Sequence, residues 1–431
     1  MSRKMGLVLF SGAAIGLTAM TATAQNLDTE RAYGSELVAD AEGRTSLLQA
    51  GGTAGFGDGG FFIGSGDGNN TLNIGVLQQF RYTYNGNSGV DAVAETTPPS
   101  GIGRAEGDDS SVGFTNNITQ FDFTGNIINP DLNYHIQFEL QSGSATLTDA
   151  YATYTLDNGV TIGWGQVRVP LMHEFYRVQD GGQLGASRGP STSYLDVDRT
   201  QGVWAHYRQD QWEGFAVISD GANGDNTGVG MSPADFSITV RGNYLFSGDW
   251  DRFNDATSFR GSEDAFYVGG VFHYQTGGET EGTADTDVLV YGADAAYESD
   301  GWNASAAFYG FNVDPDEGDE QDLFAVYAQG GYFITDQWEG FGRWDYLGLD
   351  SDGLEEDSIN FLTFGANYYF IPESHAAKFT ADIVIALNEI AGVDGSTSFE
   401  SGAAEQWSHV GLSESSDSGS FALRGQMQIE F

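Results

Sequence analysis

The sequence contains no cysteine, so disulfide bonds cannot hold its fold together. Downstream of residue 25 it also lacks any run of 18 consecutive apolar residues, the minimum for a transmembrane helix. Basic residues are scarce, with 17 Lys and Arg against 61 Asp and Glu and a formal net charge of −44. Such a surface has no basic patch to displace the counterions of nucleic acid, which is therefore excluded as a partner.

The first residues have the features of a secretory signal. Arg3 and Lys4 form a basic start, an apolar stretch covers 7–20, and an A-x-A cleavage motif ends at Ala24. We therefore assign residues 1–24 to a signal peptide. Residues 25–70 are expected to form an N-terminal periplasmic segment or linker; a short helix or a disordered tether is compatible with 27–49, and the Gly-rich stretch 51–68 is interpreted as linker or rim.

Apolar and polar residues alternate in many segments downstream of residue 70. LNYHIQFEL (132–140), DFSITVRGNYLF (235–246) and FALRGQMQIEF (421–431) each place one apolar face opposite one polar or mixed face. About sixteen such strands can be marked, from 72–84 to 419–431. Tight turns such as Asp157-Asn158-Gly159 separate some of them, and acidic Gly/Asp-rich stretches such as 348–357 separate others. We expect the tight turns on one rim and the acidic stretches on the other.

Strand length and aromatic placement favour a membrane barrel over a soluble sandwich. Most of the segments run for about 8 to 12 residues, as tilted bilayer-spanning strands do. Aromatic residues recur near their ends, as interfacial girdles require: Tyr82, Tyr84, Trp302, Tyr332, Phe333, Tyr368, Tyr369 and Phe370. We predict an all-β fold, a transmembrane antiparallel β-barrel of about 16 strands over 71–431, wide enough for an aqueous channel.

Residues 146–171, TLTDAYATYTLDNGVTIGWGQVRVPL, combine a DAY strand, a short turn and a strand ending G-Q-x-basic-x-P. This pattern resembles the phosphate-selective porin O and P family of bacterial outer membranes, and the terminal Phe431 resembles the outer-membrane assembly signal. The resemblance implies a sixteen-stranded homotrimeric porin in the bacterial cell outer membrane, in contact with its lipid. It also implies passive diffusion of small hydrophilic solutes or anions past a long inward-folded constriction loop that carries basic residues.

The candidate loop is segment 170–199, which shows no clear strand pattern and is unusually long for a connection. It places Arg177, Arg188 and Arg199 near Arg168, with His173 beside Glu174. Folded into the lumen, these residues would narrow the pore, and the arginines would bind anions by bidentate hydrogen bonds. Strand parity predicts five further arginines on the lumen wall: Arg81, Arg208, Arg241, Arg343 and Arg424.

Two interpretations of the arginines remain open. They form an anion-binding constriction, or they pair with wall carboxylates such as Asp122, Glu139, Asp345 and Glu430 without sorting ions. Phosphate-selective members of the family carry lysines as well as arginines along the pore, whereas this chain has only Lys378 beyond the signal peptide. A modest anion or phosphate preference is therefore an expectation that rests on arginine alone.

Nothing in the sequence indicates an enzyme, a cofactor or a metal site. There is no cysteine nucleophile, and the six histidines are scattered without metal-ligand spacing. Two other functional classes remain open beside the porin. One is a structural or adhesive outer-membrane barrel with acidic, calcium-binding loops, and the other is a secreted soluble β protein.

Overall fold

The computed structural model describes residues 52–57, 60–86, 110–141, 144–277, 285–316, 319–349, 358–390, 407, 409–412 and 418–431. The expected signal peptide 1–24 and the possible helix within 27–49 lie outside these residues. Among the residues described, no helix is long and apolar enough to cross a membrane.

The described chain forms one antiparallel sheet of eighteen strands. The strands are β1 (Thr53–Gly57), β2 (Gly60–Gly64), β3 (Thr71–Gly86), β4 (Ser110–Asn126), β5 (Leu132–Gln141), β6 (Ser144–Thr155), β7 (Val160–Arg168), β8 (Arg199–Gln209), β9 (Trp212–Ser219), β10 (Phe236–Ser247), β11 (Ala265–Thr276), β12 (Thr286–Ser299), β13 (Trp302–Pro315), β14 (Gln321–Phe333), β15 (Trp338–Gly348), β16 (Ser358–Tyr369), β17 (Ala377–Ala386) and β18 (Phe421–Glu430). Two short helices, α1 (His173–Tyr176) and α2 (Pro190–Tyr194), and two 3-10 turns, Asp180–Gly182 and Trp250–Asn254, complete the fold.

Strands β3 to β18 pair consecutively, and β18 pairs back with β3. That last register runs from Phe421 opposite Gly86 to Glu430 opposite Leu77. The result is a closed sixteen-stranded antiparallel barrel, which confirms the predicted fold. Closure leaves the barrel without an edge strand whose backbone groups would need partners in lipid.

The two faces of the wall are inverted relative to a water-soluble protein. In β18, Arg424, Gln426 and Gln428 point inward and are at most 4% exposed, whereas Leu423 and Ile429 point outward and are 45% and 46% exposed. Other wall strands, β10 among them, repeat the pattern. An apolar outer surface with a polar interior suits a lipid environment, which rules out the soluble sandwich as a description of this fold.

Hairpin β1–β2 was not expected from the sequence, where 51–68 is interpreted as linker or rim. β2 pairs with the first residues of β3, from Phe61 opposite Ile74 to Gly64 opposite Thr71. The pairing of β18 with β3 ends at Leu77, and the hairpin pairs with the residues of β3 that precede Leu77, so it extends the wall past the end of β18. Phe61 packs edge-on against Phe431, with ring centroids 6.0 Å apart. The glycines that suggested a linker interrupt the alternation but leave room for this close packing.

The predicted distribution of turns between the rims is observed. Tight connections such as 156–159 and 300–301 lie on one rim, and the acidic connections lie on the other. Two connections depart from this pattern: Gly248–Asp264 is long although it lies on the short-turn rim, and the β5–β6 connection has only two residues although it lies on the long-loop rim. The aromatic girdle needs one correction: Trp302 and Tyr332 are exposed on the outer face, but Phe333 and Tyr369 are buried and pack against Phe259 of that connection.

Candidate functional site

The connection between β7 and β8, Val169–Asp198 (hereafter the inner segment), lies inside the barrel. Pro170 lies two residues after the end of β7 and lacks the N–H that a continuing strand would need. Wall side chains from widely separated strands hold the backbone of the segment: Arg241 donates to the carbonyl of Leu171 (2.9 Å), Asn367 to that of Leu184 (3.0 Å), and Lys378 to those of Gly181 (3.0 Å) and Gln183 (2.8 Å). A segment bound by β10, β16 and β17 at once crosses the interior.

Apolar packing fixes the inner segment against one side of the wall. Leu171, Met172 and Leu195 are fully buried in a cluster that includes Tyr309 and Phe361 of the facing strands. Burial of this apolar area, together with the hydrogen bonds, makes the segment a packed part of the core rather than a surface loop. The inner segment thereby occupies the lumen on the side of strands β13 to β16.

The Gly248–Asp264 connection (hereafter the rim segment) enters the barrel from the short-turn rim and meets the inner segment. The backbone N–H of Gln179 donates to the carbonyl of Asn254, and that of Ala256 donates to the carbonyl of Gly182, both at 2.9 Å. A Cβ on Gly182 would lie 2.4 Å from the Cβ of Asp255, so only glycine permits this approach. This contact was not predicted from the sequence; an unusually long connection on the short-turn rim was the available signal.

Open space remains on the opposite side, along β3 to β9. A cavity of about 1280 Å³ is lined there by inward-facing residues of those strands and by part of the inner segment. Among the arginines that the structure describes, Arg168, Arg177 and Arg208 line this cavity. The cavity is therefore off-centre, bounded by the wall on one side and by the inner segment on the other.

Two guanidinium groups share one carboxylate at the first charged cluster of the cavity. Asp180 of the inner segment accepts from Arg168 and Arg188, each at 2.6 Å, and from the amide of Gln120 at 2.8 Å. Burial by itself would raise the pKa of Asp180, but Arg168 and Arg188 hold it well below its ordinary value. The carboxylate stays ionised, and this first triad carries one net positive charge.

A second triad has the same composition. Glu213 of β9 accepts from Arg208 (2.6 Å) and from Arg177, and the amide of Asn243 donates to it at 2.7 Å. His206 lies 3.3 Å from the same carboxylate. Because two arginines again face one buried carboxylate, the second triad also has an excess of one positive charge, apart from a 3.4 Å contact of Arg208 with Asp251 at the rim.

The remaining predicted site residues contribute to the packed side or to the wall. Arg241 pairs with Asp294, Arg343 with Glu174 and Asp345, Arg424 with Asp382, and Arg199 with Asp149 and Asp198. Arg81 donates to neutral acceptors, among them Gln426 Oε1 at 2.9 Å and the carbonyl of Ala186. These arginines fix the inner segment and the wall rather than line the cavity.

His173 lies away from the cavity. Its ring packs 5.2 Å from that of Tyr267, and its backbone N–H donates to the hydroxyl of Tyr309 at 2.8 Å. Burial lowers the pKa of His173 to about 3, so it is neutral at physiological pH. Of the wall carboxylates named as partners, Asp345 does pair with an arginine, whereas Asp122 accepts from His135 Nε2 at 2.8 Å.

Among the aromatic residues that line the cavity and were not predicted as site residues are Tyr151, Trp204 and Phe215. Strand parity could have indicated them, because each lies two positions from a polar residue of the inner face, as Trp204 does from His206. Within the described ranges, no group of three or more His, Asp or Glu side chains is arranged to hold a metal ion.

Comparison with known proteins bears on both fold and family. The chain aligns with three solved outer-membrane proteins: the trimer form of OmpT of Vibrio cholerae (12% identity, 84% of this chain and 99% of that chain, TM-score 0.54), Salmonella typhi OmpF (15%, 85% and 99%, 0.54) and the channel DcaP of Acinetobacter baumannii (13%, 85% and 99%, 0.53). At such identities the likeness shows the fold alone. A search of curated protein sequences found no match.

The family model of phosphate-selective porin O and P matches residues 104–383, well over half of the chain. That range includes the DAY motif, the inner segment and both arginine triads. Together with the closed barrel and its apolar outer face, the match assigns the chain to the phosphate-selective porin O and P family, as an outer-membrane porin of bacteria that forms a channel for small solutes.

Proposed function

We propose that this porin passes small hydrophilic solutes by size along the off-centre cavity, with a modest preference for anions set by the two arginine triads. The observation that carries the proposal is the ratio of two guanidinium groups to one carboxylate in each triad, Arg168–Asp180–Arg188 and Arg177–Glu213–Arg208. The inner segment acts as the constriction loop, because it fills the other side of the lumen.

The triads explain how a very acidic chain can favour anions locally. The first triad retains one net positive charge, and the second does so apart from its rim contact with Asp251. Inside the barrel the low dielectric of the wall strengthens the attraction of these charges for a passing anion. The acidic connections lie on the long-loop rim, and at physiological salt their field is screened over about 8 Å. Filtering is therefore assigned to the cavity rather than to the mouth.

The assembly is proposed to be a homotrimer embedded in outer-membrane lipid, acting as a diffusion channel and not as an enzyme. A structure of OmpT, which has the same fold, is a trimer form. This supports the proposal of a trimer for the present chain. Phosphate, the anion for which the family is named, is the first solute to test.

The test is a planar bilayer measurement of reversal potential across a chloride gradient, followed by addition of phosphate. We expect an anion-signed potential and partial block by phosphate. The double variant Arg168→Gln/Arg188→Gln should shift the potential toward cations, whereas Arg260→Gln, which removes an exposed rim arginine paired with Asp336, should not. A cation-signed potential of the unmodified protein would overturn the proposed preference, and absence of any conductance would overturn the channel itself.

A further inference from the structure

We propose that the cavity binds organic anions that carry a planar ring, such as aryl phosphates and aryl carboxylates, in preference to inorganic anions of equal charge. The inference deepens the proposed function and rests on its anion preference. It arises from a feature that simple anion filtering does not require, namely a row of aromatic side chains between the two arginine triads.

Three strands, β6, β8 and β9, contribute the side chains of this aromatic row. Tyr151 of β6 meets Trp204 of β8 edge-to-face, with ring centroids 5.5 Å apart. His206 of β8 stacks on Phe215 of β9 at 4.2 Å with an interplanar angle of 12°. All four side chains line the cavity, although the outer face of a wall in lipid is where large apolar rings are ordinarily placed.

The strand between Tyr151 and Trp204 is shaped to accept the indole. Gly163 of β7 lies directly opposite Trp204 in the β7–β8 register. A Cβ on Gly163 would lie 2.1 Å from the indole ring, so any side chain at that position would displace it. The missing side chain lets Trp204 lie across β7 toward Tyr151, which makes the row continuous over three strands.

The triads stand at the two ends of the row along the barrel. In the same register Arg168 is opposite Arg199, five residues before Trp204, and Arg208 follows Trp204 by four residues. At about 3.3 Å per residue, these separations are about 16 Å and about 13 Å along the strand. A solute whose ring contacts the row can thus present its acidic group to long arginine side chains that approach from either end.

The aromatic row and the arginine triads together favour a solute that carries both a ring and a negative charge. Aromatic faces attract flat rings through offset or edge-to-face contacts, and arginine forks bind phosphate and carboxylate oxygens. His135, which donates or accepts at Tyr151 Oη (3.1 Å) and contacts Asp122 (2.8 Å), adds a polar edge for ring substituents. The cavity volume of about 1280 Å³ accommodates such a solute, whereas an inorganic anion would use the arginines only.

The experiment compares block of single channels by phenyl phosphate, cyclohexyl phosphate and inorganic phosphate, at a pH where all three are dianions. We expect phenyl phosphate to block at a concentration several-fold lower than the other two, because one ring contact changes affinity by about two- to tenfold. Trp204→Leu should abolish the difference, and Phe215→Leu should reduce it. Trp164→Leu is the matched control, since Trp164 lies on the neighbouring strand but is exposed on the outer face.

Equal block by the three phosphates in the unmodified channel would overturn the inference without any variant. A phenyl phosphate preference that survives Trp204→Leu would overturn the assignment to the aromatic row. Both outcomes leave an anion-signed reversal potential intact, and so differ from failure of the proposed function, in which the potential is cation-signed and none of the phosphates blocks; that result would overturn the inference as well.

Discussion

Asp180 decides the charge of the first triad because one carboxylate serves two guanidinium groups and the Gln120 amide. A buried charge is tolerated only when its partners compensate the lost hydration. Here two positive charges face one negative charge. The excess positive charge of the triad therefore depends on the single carboxylate at position 180. Changing the carboxylate should change ion selection without altering side-chain shape.

We expect Asp180→Asn to raise the anion preference of the channel, since the net charge of the triad increases from one to two. The amide keeps the size of the side chain, and the arginines lose their ionic partner. The measurement is the reversal potential in a salt gradient. Glu263→Gln removes the same charge from an exposed position of the rim segment and should leave the potential nearly unchanged; an equal shift in both variants would contradict a local origin.

The pH dependence of stability provides a second test of Asp180. Because its pKa is lower in the folded protein than in the unfolded chain, its ion pairs contribute their full stabilisation above about pH 4 and lose it as the pH falls below that value. The difference in thermal midpoint between the unmodified protein and Asp180→Asn should thus be constant from neutral pH to about pH 5 and shrink in stronger acid. A difference that disappears between pH 7 and 5 would contradict the depressed pKa.

At the scale of elements, the inner segment is held by contacts from residues distant in sequence. Lys378, the only lysine beyond residue 4, is completely buried and donates to the carbonyls of Gly181 and Gln183. Lys378 thereby anchors the 3-10 turn that contains Asp180 to β17. The position of the first triad therefore depends on one ammonium group of another wall strand, β17.

We expect Lys378→Met to destabilise the fold by about 1–3 kcal/mol, because two charge-assisted hydrogen bonds are lost. Loosening of the turn should also increase low-frequency noise in the open-channel current. Thermal unfolding in detergent and single-channel recording measure the two effects. Arg260→Met, at an exposed ion pair, serves as the control; a quiet Lys378→Met channel of unchanged stability would show that the turn does not need this anchor.

The sequence predicted those elements whose signal is local. Alternation with period two located the sixteen barrel strands, because each strand shows its two faces within its own residues. It could not show which side chains meet across the lumen: the ion pair of Arg343 with Glu174 joins positions 169 residues apart. Trp204 was missed and Phe333 was wrongly assigned to the girdle for a related reason, since inward and outward aromatic residues differ only in parity and in their tertiary contacts.

At the scale of the whole molecule, two segments that enter from opposite rims meet and leave the passage on one side. The barrel wall alone would enclose a much wider lumen. We therefore propose that the inner segment, rather than the barrel wall, sets the size limit for solutes.

Replacing residues 171–196 by a short Gly/Ser linker should increase single-channel conductance several-fold, because the packed side of the lumen would open to water. Conductance and the passage of larger neutral solutes are the measurements. Shortening the acidic β13–β14 connection, which lies on the same rim, is the control and should leave conductance unchanged. Unaltered conductance after removal of the inner segment would mean that it is not the constriction.

Closure of the barrel joins the two extremes of the described wall: the hydrogen bond from Arg81 to Gln426 spans 345 residues. Loop-closure entropy makes this seam, the pairing of β3 with β18, slow to form. The seam can form only once β18 has reached β3. Arg81 on one side of the seam binds the carbonyl of Ala186, and Arg424 on the other binds Ser187 Oγ. The inner segment thus bridges the two strands whose pairing closes the barrel, so closure of the wall and placement of the segment depend on the same two arginines.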